Sequence, residues 1–184
     1  MRSTTLIRVA IFTVMVGVLL LQSAATAQAP AARNSSCPDG YLYGETIEGN
    51  LTVKNKACYV FDTVIEGTVT VTNSPYFALI DSTARGKLQI KGGCGGAIDC
   101  HALVRGTQIV RADLNVQGYE GRAVLSGNHV RLEGDIQFKN VDGFILLAEN
   151  RVDNGNIVCT KIDGEVLSND NDLRDGTDGC QGIN

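Results

Sequence analysis

The chain has 184 residues, a formal net charge of −4, 43% hydrophobic residues, 21 glycines, six cysteines and no tryptophan. That length suits one domain with a real core. The acid excess argues against nucleic acid or an anionic membrane surface as partner, since both demand clustered Lys and Arg.

The first segment reads as a leader. Arg2 and Arg8 mark a basic start, and Val9 to Leu21 is an uncharged apolar run, shorter than the roughly 20 residues that span a bilayer. Ala25-Thr26-Ala27 and Ala27-Gln28-Ala29 each fit a small-x-small cleavage site. Residues 1–29 are therefore expected to be a secretory signal, whose removal leaves no membrane span. All six cysteines (Cys37, Cys58, Cys94, Cys100, Cys159, Cys180) follow it. An even count behind a signal predicts three disulfides in an oxidising compartment, extracellular, periplasmic or in the cell envelope. No CxxC pair occurs and the two histidines are far apart, so neither a metal site nor a cofactor is expected.

Residues 30–43 form a linker and N-terminal cap in this reading, and residues 44–167 carry a repeat. IEGNLTVKN (47–55) and IEGTVTVTN (65–73) differ little, and further copies are marked by Gly86, Ala112, Gly134 and Gly155. Two and four positions after each marker stand Leu51/Val53, Val69/Val71, Leu88/Ile90, Leu114/Val116, Ile136/Phe138 and Ile157/Cys159. All are apolar, so one side of this strand is buried in every copy. Six positions after the markers stand Asn55, Asn73, Gly92, Gly118, Asn140 and Lys161. Five of these tolerate a left-handed backbone, which predicts a sharp turn at the strand end.

A second strand follows each turn (CYVFD, YFALID, HALVR, RAVLS, FILLAE), and a shorter third one leads into the next marker. Three short strands per repeat with no helix describe one coil of a parallel β-helix. The prediction is an all-β, single-domain, right-handed parallel β-helix of about six short coils, capped by disulfides. Residues 168–184 are expected to cap the last coil. The exposed edges at the two coil ends invite self-association. Cys94-Gly-Gly-Ala-Ile-Asp-Cys100 interrupts the period and reads as a loop closed by its own disulfide. Cys37 with Cys58 and Cys159 with Cys180 would pin the ends, one connectivity among fifteen.

The stretches Gly49-Asn50-Leu51-Thr52-Val53, Cys58, Gly67 to Val71, Gly155-Asn156-Ile157-Val158-Cys159 and Cys180-Gln181 resemble small secreted bacterial β-helix proteins of uncharacterised function. The resemblance implies a fold and a compartment and carries no catalytic residues.

Function on such a fold would lie on outward ladders. Glu48, Glu66, Arg85, Arg111, Glu133 and Asn154 precede the markers, and Glu66–Arg85 and Arg111–Glu133 would be cross-coil pairs. Asp62, Asp81, Arg105, Ser126 and Glu149 form a second expected ladder, read first as strand-ending turns. The run Ser168–Gly179 fails the calcium-loop pattern at Arg174, and the outward positions Thr52, Thr70, Gln89, Asn115, Gln137 and Val158 make no threonine array. The expected function is a secreted, non-enzymatic surface, adhesion or assembly module. The alternative is a carbohydrate-binding module or a small lyase- or epimerase-type enzyme acting on acidic glycans. Expected partners are a polysaccharide or another surface protein, with ligand contacts at Asp81, His101, Arg105, Arg85 and Arg111 near the Cys94–Cys100 loop.

Overall fold

The computed structural model describes residues 35–93, 100–131 and 133–180, and within them every regular element is a strand. The Cys94–Cys100 loop falls largely outside these residues. The strands stack as a parallel β-solenoid with three faces. The first face carries Leu51–Lys54, Val69–Thr72, Leu88–Lys91, Leu114–Gln117, the start of Ile136–Ala148, and Ile157–Asp163. Its register runs Leu51, Val69, Leu88, Leu114, Ile136, Ile157. The expected strand of each repeat is thus stacked on its copies, all parallel.

The second face has seven strands: Tyr41–Tyr43, Cys58–Phe61, Tyr76–Ile80, His101–Arg105, Glu120–Ser126, the end of Ile136–Ala148, and Val166–Asn169. The 13-residue strand Ile136–Ala148 runs through the corner and joins the first two faces into one sheet. The third face is a separate ladder of seven two-residue strands, from Thr46–Ile47 to Asp172–Leu173. The coil therefore continues to Leu173, and Gly176, 21 positions after Gly155, marks one more turn.

Inward side chains build one continuous apolar column. Leu51, Val69, Leu88, Leu114, Ile136 and Ile157 are fully buried, and Val60, Leu79, Val104, Leu125 and Leu147 line up behind the second face. A single coil cannot bury its own inward side, so stacking supplies the core.

Two of the three corners are set by backbone conformation. Asn55, Asn73, Gly92, Gly118, Asn140 and Lys161 all have φ between 50° and 68°. The corner between the second and third faces repeats the device with Gly44, Asp62, Asp81, Gly106, Gly127, Glu149 and Asp170. The third corner varies in length: three residues separate Ala84 from Leu88, four separate Ile109 from Leu114, and five separate Val130 from Ile136.

The observed register corrects two expectations. Asp62 and Asp81 are stacked, but the chain continues their column with Gly106 and Gly127; Arg105 and Ser126 lie one position earlier, level with Ile80. Arg85 is level with Val110 and Arg131, so Arg111 is an extra corner residue and forms no ion pair with Glu133. Glu66 and Arg85 do pair, at 2.9 Å.

Disulfides Cys37–Cys58 and Cys159–Cys180 each span 21 residues, one coil, at opposite ends of the stack. Ser35 bridges Leu51 and Asp178 bridges Ile157, which covers part of each terminal edge. Cys100 is disulfide-bonded, while Cys94 lies outside the described residues. These bonds are consistent with an extracellular or otherwise oxidising compartment.

Candidate functional site

The three outward faces differ in chemistry. On the first, Thr52, Thr70, Gln89, Asn115 and Gln137 stack as hydroxyls and amides, flanked by Lys54, Lys91 and Lys139. The third is ionic. Asp153 accepts hydrogen bonds from His129 Nε2 and Arg151 Nε, both at 2.9 Å, with Arg174 Nε at 3.9 Å. The hydrogen bond from His129 is the main reason the Asp153 carboxyl sits below the usual carboxylate range.

The second face is apolar where a solvated sheet would be polar. Its central outward column reads Tyr41, Tyr59, Ala78, Leu103, Val124, Leu146, Leu167, one residue from each of the seven strands. Tyr41 is 54% exposed, Tyr59 40% and Leu167 41%. The flanking column begins Tyr43, Phe61, Ile80, and Tyr43 is 65% exposed. On the other flank Tyr76 stacks on His101 with ring centroids 5.6 Å apart and leads through Arg122 to Phe144. At about 4.8 Å per strand the column runs for nearly 30 Å. A contiguous apolar surface of that size is uncommon on a solitary soluble domain and marks interaction surfaces. The aromatic residues cluster at the N-terminal strands and the aliphatic ones at the C-terminal strands.

The residues singled out from sequence are divided among three places. His101 and Arg105 occupy the two ends of one strand on the apolar face. Asp81 holds the left-handed corner beside Arg105 with φ 48°. Arg85 and Arg111 line one hollow of about 390 Å³ on the third face, with Glu66, Thr83, Gln108 and Val110. These five residues therefore do not form one site. What brings Arg111 beside Arg85 is the lengthened corner.

A further ladder, missed from sequence, lies inside the coil just past the second left-handed corner. Thr63, Ser82, Thr107, Asn128 and Asn150 are buried there and Asn171 is half-buried. Asn128 Nδ2 donates to Val104 O at 2.8 Å and to Asn150 Oδ1 at 2.9 Å, while Asn128 Oδ1 accepts the Thr107 N–H at 3.0 Å. Its sequence signal was the Thr, Ser or Asn directly after each left-handed residue of that corner from Asp62 to Asp170. These groups satisfy one another and the corner backbone, so their role is structural. The Tyr119 hydroxyl is buried and meets no hydrogen-bond partner among the described residues, and burial raises it above its usual range.

Among the described residues no group of three or more His, Cys, Asp or Glu side chains is placed to hold a metal ion, and no helix is long and apolar enough to cross a membrane. Comparison of the chain with protein-family models, curated proteins and solved structures found no match.

Proposed function

We propose that the protein is a secreted, non-enzymatic module that works as an adhesion or assembly surface through the second face of its solenoid. The observation that carries this reading is the seven-strand apolar column Tyr41–Tyr59–Ala78–Leu103–Val124–Leu146–Leu167. Inward packing does not require it, because the inward residues alternate with it along each strand. Water exposure of such a column is unfavourable, at about 25 cal/mol per Å² of apolar surface, so a partner that covers it gains stability. The leader expected at 1–29 and the two end disulfides support an extracellular place of action.

A second reading, binding of acidic glycans, is favoured by the hollow that holds Arg85 and Arg111 with Thr83 and Gln108. Guanidinium groups suit carboxylates, although Glu66 already occupies one nitrogen of Arg85.

Both readings meet one experiment. The immobilised protein is presented with uronate oligosaccharides, insoluble polysaccharide, neutral lipid vesicles and the free protein itself. We expect Leu103→Asp with Val124→Asp to abolish capture of whatever binds, and Arg85→Ala with Arg111→Ala to leave it unchanged. The opposite pattern transfers the function to the arginine hollow. Release of new reducing ends from a uronate polymer would overturn the non-enzymatic reading.

A further inference from the structure

We infer that the second face is covered by a second copy of this chain, two solenoids packing face to face as a symmetric dimer. This rests on the reading that the second face is the working surface. Three observations select the occupant.

The first is area. Seven strands at about 4.8 Å, with two or three outward positions each at about 6.6 Å, give a patch of roughly 35 by 17 Å at its widest once side-chain width is included. That is up to about 600 Å² per copy and about 1,200 Å² for a pair, at the lower end of stable specific interfaces.

The second is the arrangement of residues along the face. Tyr41, Tyr43, Tyr59 and Phe61 lie at one end, and Leu103, Val124, Leu146 and Leu167 fill the centre and the other end. A two-fold axis along the central strand, His101–Arg105, sets the aromatic end of each copy over the aliphatic end of the other. The surface is thereby its own complement, as an isologous interface requires, and aromatic rings on aliphatic side chains are favourable sheet partners.

The third is charge. Asp62, Asp81, Glu149 and Asp170 stand at the corner beside this face. That same row disfavours an anionic membrane. The central column carries no hydrogen-bonding group from Ala78 to Leu167 to meet a sugar chain. Pairing through the coil ends is less suited, because the end disulfides and the Ser35 and Asp178 bridges already cover part of those edges.

Sedimentation equilibrium on the disulfide-bonded protein from about 1 to about 200 μM tests this, a range chosen for an interface of modest area. We expect a reversible dimer, and at least a tenfold weaker association for Leu103→Asp with Val124→Asp. Tyr59→Ser is the gentler variant should that pair misfold by circular dichroism. Thr70→Asp with Gln89→Asp, on the first face, should leave association unchanged. A protein monomeric throughout, or a dimer indifferent to the second-face variants, overturns the inference. If the monomer still captures vesicles or polysaccharide through Leu103 and Val124, the inference fails and the adhesion reading stands. If nothing binds at that face, both fail.

Discussion

Asn128 shows how single side chains hold a solenoid corner. The left-handed residue before it turns the chain, which points backbone N–H and C=O groups inward where no sheet partner is available. Asn128 answers with both ends of its amide: the oxygen takes the Thr107 N–H, and the nitrogen serves Val104 O and Asn150 Oδ1. Asn150 repeats the pattern with Leu125 O and Asn171 Oδ1. Leucine at 128 would keep the branching and remove the three bonds that the Asn128 side chain makes. Each buried polar group left unpaired costs about 1–3 kcal/mol, so Asn128→Leu should destabilise by about 3 kcal/mol in urea unfolding, with Asn128→Ser retaining part of the loss. A change under about 0.5 kcal/mol would mean that the corner reaches water. The ladder escaped the sequence reading because Thr, Ser and Asn after a turn residue also describe an ordinary hydrated loop.

At the scale of the coil, spacing between backbones decides which residues are allowed. A Cβ added at Gly86 would lie 2.6 Å from Gly67 O and 2.9 Å from Thr68 N, both backbone atoms of the preceding coil. The marker is glycine because the coils touch there. Ala112 holds the same place in a coil whose corner has gained Arg111, so it tests whether that extra residue gives a methyl group room. Gly86→Val should therefore destabilise by about 2 kcal/mol or more through strain between coils, whereas Ala112→Gly should cost no more than about 1 kcal/mol. Thermal melts of both variants check this, and equal losses would show that the longer corner confers no slack.

The same corner explains what could and could not be read in advance. The register of Leu51 through Ile157 was legible because markers and apolar pairs lie on one side of the variable corner, at constant offset. Arg105 falls one position short of the Asp81 column because HALVR and RAVLS end one residue before their left-handed corner, whereas CYVFD, YFALID and FILLAE include it. The apolar second face was hidden for another reason. In YFALID, HALVR and FILLAE apolar residues occupy both parities of the strand, so alternation cannot separate the surface Leu103 from the core Val104.

The whole molecule is a one-dimensional stack in which each coil contacts only its neighbours, so its ends should open before its middle. Each end disulfide closes a span of 21 residues and ties a terminal segment to the adjacent coil. Loop-closure entropy for a span of that size amounts to about 3 kcal/mol. Cys180 closes over Cys159, and Asp178 secures the same tail by accepting from Ser168 Oγ at 2.6 Å and from the Cys180 N–H at 2.9 Å. Cys159→Ser with Cys180→Ser leaves those hydrogen bonds in place and removes only the covalent tie. In hydrogen exchange, amides of Ile157–Asp163 and Val166–Asn169 should then lose protection by about a hundredfold, corresponding to that 3 kcal/mol. Leu51–Lys54 and Val69–Thr72, five and four coils away, should exchange as before. Uniform loss of protection along the chain would instead mean that the solenoid unfolds as a single cooperative unit and that the nearest-neighbour description is wrong for a stack this short.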